Sequence, residues 1–157
     1  TFTKNVQPAN VLAVEEQFTV PVIDSETGEF IIDLKGVYDL VEEDDLGSLV
    51  IADNKTAAKR PSDNDLNMNL QLSCYGYAAR QLFNLDAKPC LLRLDIMLKT
   101  KLPAFDQRFT IRTLETDSRL VWIIRNVLHA MEQYAYFPIP SWGCGGCQVK
   151  SHCPVSE

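Results

Sequence analysis

Near its start the chain alternates apolar and polar residues. Val11, Leu12, Val14, Phe18, Val20 and Val22 stand among polar neighbours, and Ser25-Glu26-Thr27-Gly28 supplies a turn. A strand over Val11–Val22 is therefore expected to pass by a hairpin into a second over Glu29–Glu42. Asp44-Asp45-Leu46-Gly47 turns the chain again, into a third strand over Ser48–Thr56 rich in Leu, Val and Ile. Three strands in succession predict an antiparallel meander. After Pro61 the period lengthens. Ser62-Asp63-Asn64-Asp65 offers helix caps, and Met68, Leu72, Tyr75, Ala79, Leu82 and Phe83 recur at helical spacing as far as Asn84, which predicts one amphipathic helix. Strands are expected again over Cys90–Thr100 and Arg108–Leu114, with Pro103 in the loop between them. A second helix opens at Asp117 or Ser118, with Leu120, Ile123, Ile124, Val127, Leu128 and Met131 as its buried stripe. The order β-β-β-α-β-β-α is an α+β pattern. Beyond Tyr136, prolines and glycines exclude regular structure.

Length narrows this to one principal core. A chain of 157 residues, 46% of them apolar, builds one domain comfortably and two with difficulty. We expect residues 1–136 to form that domain and residues 137–157 a cysteine-rich tail packed on it. No apolar run approaches the roughly 18 to 20 residues that span a bilayer, and Thr1-Phe2-Thr3-Lys4-Asn5 lacks the charged and apolar regions of a signal peptide, so a soluble, cytoplasmic protein without membrane contact is expected. The chain does not open on Met and reaches a strand within about ten residues, which suggests a domain taken from a longer protein. Five cysteines, three of them in the last fourteen residues, suit an intracellular metal or cluster site better than a disulfide framework. A formal net charge of −6 removes any global attraction for nucleic acid, so DNA contact would rest on a local patch or on bound metal.

The second and third strands carry the candidate chemistry. Gly36-Val37-Tyr38-Asp39 lies near the end of one, and Asp53-Asn54-Lys55-Thr56 ends the next. Side chains alternate along a strand, so Asp53 and Lys55 share a face, and Asp39 lies on the more polar side of its own strand. A short hairpin would set Asp39 beside Asp53. Two adjacent carboxylates repel at neutral pH, and a hard divalent cation such as Mg²⁺ or Mn²⁺ relieves that repulsion, lowers the pKa of a bound water and neutralises phosphate charge, with an ammonium beside it. Taken alone, an Asp and an Asp-x-Lys triplet are more often surface charges on an edge strand. Here they end an apolar strand, Ile51-Ala52, where packing does not require them. On the next helix Gln71 and Tyr75, four apart, share a face and either bind phosphate or simply pack and solvate.

Gly-x-x-Asp, Asp-x-Lys-Thr and Gln-x-x-x-Tyr, in that order and at these separations, resemble the RecB-like exonuclease branch of the PD-(D/E)xK nuclease superfamily. The opening Val11-Leu12-Ala13-Val14-Glu15 and the tail Pro140-Ser141-Trp142-x-Cys144-x-x-Cys147-x5-Cys153 are similar to it as well. The resemblance implies a restriction-endonuclease-like fold and metal-dependent hydrolysis of DNA. It implies metal held by Asp39, Asp53 and the backbone carbonyl of Asn54, catalysis by Lys55 with Asp53 and Asp39, and substrate positioning by Gln71 and Tyr75. Members with such a tail resemble AddB-type and CRISPR-associated exonucleases, in which four cysteines hold a 4Fe–4S cluster. Cys144, Cys147 and Cys153 match three of the four, and neither Cys74 nor Cys90 matches the last in position. DNA repair, recombination, phage or CRISPR processing and a helicase or recombination partner follow from the same resemblance.

Other readings stay open on the residues alone. The tail is compatible with zinc if His152 or a distant residue joins it, or with free thiols. The family's further His or Glu ligand on a helix before the first strand has no counterpart here, and Glu15 and Glu16 read as ordinary strand charges. His129 reads as a packed or surface histidine. Lys59, Arg60, Lys99, Lys101, Arg108 and Arg112 are candidates for a DNA-facing patch. The rival functions are a non-catalytic DNA-binding or scaffold module with the same fold, and a small zinc-ribbon interaction protein.

Overall fold

The computed structural model describes residues 10–135 and 138–154. Strands β1 (Asn10–Ile23), β2 (Phe30–Glu43) and β3 (Leu49–Ala57) come first, followed by helices α1 (Asp63–Asn67) and α2 (Leu70–Leu82). Strands β4 (Cys90–Leu98) and β5 (Ala104–Arg112) and helix α3 (Leu114–Glu132) complete the regular elements, with short 3₁₀ turns at Trp142–Gly146 and Lys150–His152. One five-stranded sheet in the order β1-β2-β3-β4-β5 joins all the strands. Every neighbouring pair is antiparallel except β3 and β4, which run parallel because the α1–α2 crossover returns the chain to the same end. The expected α+β architecture and its opening meander are both present. No helix among the described residues is long and apolar enough to cross a membrane.

Three boundaries differ from the sequence expectation, each for a local reason. The single helix expected between Pro61 and Asn84 is two. Ser62 and Asp65 close a capping box around α1, and then Asn69 turns extended and its side chain accepts the Leu72 N–H at 2.9 Å, starting α2 afresh. Met68, Leu82 and Phe83, on the apolar face read for this helix, are exposed, whereas Leu72, Tyr75 and Ala79 are buried; of the buried stripe expected for the last helix, Leu120 is buried but Val127 and Met131 are exposed. Strand β5 begins at Ala104 rather than Arg108 because it pairs with the whole of β4, from Leu98 opposite Ala104 to Cys90 opposite Arg112. Helix α3 begins at Leu114 rather than Asp117 or Ser118, since the Thr116 hydroxyl accepts the Thr113 N–H at 2.8 Å and caps the first turn earlier.

The described residues divide into two compact units between Trp122 and Ile123, so α3 begins in the first and ends in the second. The expected boundary between residues 136 and 137 lies outside the described residues. In the first unit the core is Val20, Val22, Tyr38, Val41, Ile51, Leu72, Leu92, Ile96 and Leu120. Two buried arginines tie α2 to its surroundings. Arg80 donates to the Asp117 carboxylate at 2.5 Å and to the carbonyls of Arg112 at 3.0 Å and Lys88 at 2.5 Å. Arg112, only 1% exposed, donates to Ser73 Oγ at 3.0 Å, to the Leu66 carbonyl at 2.8 Å and to Thr110 Oγ1 at 2.9 Å. These bonds satisfy the buried guanidinium groups and join the end of α1, where the Leu66 carbonyl also accepts the Asn69 N–H at 3.2 Å, to β5.

Arg112 also explains a glycine. A Cβ on Gly76 would lie 2.8 Å from Arg112 Cβ and 2.9 Å from its Cγ, and the root of a side chain fixed at its far end cannot swing away. Gly76→Ala is therefore expected to cost about 1 to 3 kcal/mol despite alanine's better helix propensity, as read by urea denaturation. Unchanged or increased stability would show that α2 is not held this close to β5.

Candidate active site

Strand β2 meets β3 over only four residue pairs, from Glu43 opposite Leu49 to Leu40 opposite Ala52. One further step in this register sets Asp39 opposite Asp53, and the Asn54 N–H donates to Asp39 Oδ2 at 2.9 Å across the opening. The N–H and carbonyl of one strand residue point to the same edge. The Asn54 carbonyl therefore also faces the edge where the ladder with β2 has ended.

Asp53 has no solvent exposure. Lys55, two residues along the strand and half-exposed, donates to Asp53 Oδ1 at 3.1 Å. Its ammonium is 2.9 Å from Oδ2, but no hydrogen bond of acceptable angle reaches that buried oxygen from the described residues. Burial pushes the Asp53 carboxyl above its ordinary range and the neighbouring Asp39 charge adds to this, while the Lys55 hydrogen bond and charge pull it down. A buried anion next to a second anion, with one oxygen receiving no hydrogen bond and only a half-exposed ammonium to offset two charges, is costly unless a further cation shares the space.

Helix α2 supplies the next layer. Tyr75 OH donates to the Val37 carbonyl at 2.7 Å and accepts from Gln71 Nε2 at 2.9 Å. Gln71 and Tyr75 thus meet on one helical face, and Tyr75 fastens α2 to β2 two residues before Asp39. Burial raises the Tyr75 pKa; the Gln71 hydrogen bond opposes that, and the charges of Asp53 and Asp39 reinforce it. Phe18, Tyr38 and Tyr75 pack as an aromatic cluster, with ring centroids 4.5 Å apart for Phe18 and Tyr38 and 5.3 Å for Tyr38 and Tyr75. Phe18 lies across Gly36, where a Cβ would come within 2.4 Å of the ring. Tyr75→Phe keeps the ring but strands the Val37 carbonyl. It is expected to cost about 1 kcal/mol of stability and, by loosening β2 at Asp39, about tenfold in turnover, measured by thermal unfolding and DNA cleavage. Full activity in this variant would make the phenol dispensable.

The remaining candidates do not join this group. Arg112 is buried in structural bonds and is not a DNA-facing residue. Arg108 is held by Asp63 and by the Pro61 carbonyl at 3.2 Å, and Arg60 lies 3.3 Å from Asp106. Lys59, Lys99 and Lys101 are exposed. Glu15 and Glu16 are exposed on β1, with Glu15 in the left-handed region at φ 50°, an uncommon conformation for this residue type. His129 is exposed and 4.0 Å from Glu132 on its own helix. Cys90 is fully buried and its thiol is pushed up to about 11, chiefly by burial, which marks an inert structural cysteine. Cys74 is raised for the same reason. In the second unit Cys144 and Cys147 are exposed, and the Cys144 sulfur accepts the Ser141 N–H at 3.3 Å. Among the described residues no three His, Cys, Asp or Glu side chains are gathered closely enough to hold a metal ion. Neither Glu15 and Glu16 nor the tail cysteines complete a site as placed.

A mixed sheet with an acid on β2, an Asp-x-Lys on β3 and a helix packed over them defines a restriction-endonuclease-like α+β domain. The chain belongs to the PD-(D/E)XK nuclease superfamily, whose family model matches residues 3–154. The superfamily is one of metal-dependent nucleases. Among solved structures, the crystal structure of SSO0001 is similar in fold, with a TM-score of 0.51 at 18% identity over 92% of this chain. This chain spans 61% of the length of that one. No curated protein matches the sequence significantly.

Proposed function

We propose that this domain is a DNA exonuclease of the RecB-like branch, working at linear ends with Mg²⁺ or Mn²⁺. The observation that carries the reading is Asp53: a wholly buried carboxylate beside Asp39, with one oxygen that receives no hydrogen bond from the described residues and is met only by the charge of Lys55. Hard oxygen donors of this kind fit a divalent cation, which Asp39, Asp53 and the Asn54 carbonyl would hold. Such a cation supplies a water of lowered pKa and charge to offset that of the phosphate.

The chain's own groups do the rest. Asp53 fixes the Lys55 ammonium, which is placed to orient the attacking water or to neutralise an oxygen of the scissile phosphate. The Asn54 N–H fixes Asp39, and Tyr75 with Gln71 fixes the strand that carries it. Residues 1–136 form the nuclease core in this reading and residues 137–157 its tail. A 4Fe–4S cluster on Cys144, Cys147 and Cys153 is implied by the branch, but the described residues do not gather these thiols, and no step is assigned to it. A cytoplasmic role in repair, recombination, phage or CRISPR DNA processing, with a helicase or recombination partner, belongs to the same proposal.

The test is cleavage of end-labelled linear single- and double-stranded DNA beside covalently closed circles, with Mn²⁺, Mg²⁺ or EDTA. Metal-dependent loss of linear DNA with circles spared supports the exonuclease. Cutting of circles would make it an endonuclease. Metal-independent DNA binding without cleavage would favour the scaffold module.

A further inference from the structure

Behind the candidate site, on the opposite face of the sheet, lies a buried charged group to which the proposed chemistry gives no part. Asp53 pairs with Leu94 in the β3–β4 register and so shares its face, while Arg93 and Asp95 alternate with Leu92, Leu94 and Ile96 and point the other way. Arg93 donates to Glu42 on β2 through one terminal nitrogen. Its Nε and other terminal nitrogen donate to Asp95 Oδ1 at 2.9 Å and Oδ2 at 2.8 Å, a bidentate fork. Gln107 on β5 donates to Asp95 Oδ1 at 2.8 Å. Arg93, Glu42 and Asp95 are all buried, and Glu42 Oε2 has no hydrogen-bond partner among the described residues. Burial pulls the guanidinium pKa down, but the bonds to Asp95 and Glu42 outweigh it and hold the group charged.

The bridge crosses β3. Ala52 pairs with Leu40 on one side and Arg93 on the other, and its small side chain leaves the guanidinium a path from β4 to β2. This matters because β2 is held to β3 by a ladder of only four pairs, which ends one step before Asp39 meets Asp53, whereas β3 and β4 pair over eight. A buried ion group is a poor source of net stability, and its best-attested use is to select one register over another. A one-residue slip of β2 would turn Asp39 to the wrong face. It would also take Glu42 out of reach of Arg93.

We propose that Arg93 is a positioning residue: by binding Glu42 and Asp95 together it locks β2 against β3 from behind and thereby fixes Asp39 opposite Asp53. The proposal rests on the catalytic reading only for its consequence, since the juxtaposition itself is measurable without metal or substrate.

The decisive reading is hydrogen exchange, by NMR on the whole chain, at the Asn54 amide that bonds Asp39, compared with the Ile51 amide, which alternation along β3 turns toward β4. In Arg93→Lys, which keeps the charge but not the fork, Asn54 is expected to exchange at least about tenfold faster with Ile51 unchanged. Mn²⁺ affinity by calorimetry is expected to fall about tenfold while KM for DNA holds. A triple variant, Arg93→Met with Glu42→Leu and Asp95→Leu, removes the buried charges without orphaning any, and is expected to keep its melting temperature and to show the same selective loss. Equal acceleration at Asn54 and Ile51, or Asn54 protection equal to wild type in Arg93→Lys, overturns the proposal. Should wild type bind no Mn²⁺, the nuclease reading fails, and the Asn54 comparison still decides this one.

Discussion

Lys55→Ala is expected to lower metal-dependent DNA cleavage by about a hundredfold to a thousandfold, the scale on which a single preorganised charge at a transition state acts. Binding of Mn²⁺ should survive it. The ammonium 2.9 Å from Asp53 Oδ2 competes with any cation for that carboxylate, so calorimetry should show affinity equal to wild type or tighter. A variant that loses cleavage and metal binding together would instead assign Lys55 a structural role. One that cuts normally would remove it from the mechanism.

Without metal, the same substitution has a signed effect on stability. Asp53 titrates above its ordinary range in the folded chain because of burial, with Lys55 opposing that rise. An acid whose folded pKa is raised contributes stability that is fully present below its unfolded pKa and is lost as pH rises through the folded value. Removing Lys55 moves the folded value higher still. The metal-free variant should therefore lose more stability than wild type between the ordinary carboxylate range and neutrality.

The second large effect is at Asp53 itself. Asp53→Asn is expected to abolish metal-dependent cleavage, and in EDTA at neutral pH to be more stable than wild type by about 1 to 2 kcal/mol, because a buried carboxylate, one of whose oxygens receives no hydrogen bond and is met only by the half-exposed Lys55, becomes a neutral amide. By the linkage above, this advantage should shrink as pH falls and wild-type Asp53 takes up its proton. Added Mn²⁺ should reverse the order. At a hundred times its dissociation constant it stabilises wild type by about 2.7 kcal/mol and the variant hardly at all. Denaturation curves in EDTA and in Mn²⁺ measure both. A less stable Asn variant in EDTA would mean that the ion pair with Lys55 more than offsets the cost of burying Asp53.

Stability given up at one residue for binding there is the usual mark of a functional site. That mark was partly visible in the residues alone. An apolar strand running Leu49-Val50-Ile51-Ala52 has no packing use for the Asp and Lys that follow, and the two-residue period placed both on one face. The spacing of Gln71 and Tyr75 likewise put them on one face of a helix, where they are found bonded. What spacing did not reveal was the direction of that bond's other end. Tyr75 OH reaches the Val37 carbonyl 38 residues away, a contact with no local signature.

The break between α1 and α2 was missed because the apolar period runs unbroken from Met68 to Phe83, and the Asn69 cap that interrupts it is weak beside that pattern. Arg112 was misplaced for a related reason. In sequence it is a cation among other cations, and only the acceptors that the fold packs around it, Ser73 Oγ, Thr110 Oγ1 and the Leu66 carbonyl, let its charge be buried. The bridge from Arg93 to Glu42 joins residues 51 apart on strands that are not neighbours in the sheet. No periodicity could announce it.

The sequence by itself determined what depends on neighbours along the chain: three strands in a meander, the alternation that pairs Asp53 with Lys55, the helical face of Gln71 and Tyr75, and the family to which these motifs belong. Only the tertiary structure decided how deeply Asp53 is buried, that one of its oxygens receives no hydrogen bond, which arginines are tied into the core, and how four ladder pairs and a buried guanidinium set Asp39 opposite Asp53. These depend on register and burial, and both arise where segments distant in the chain exclude water from between them.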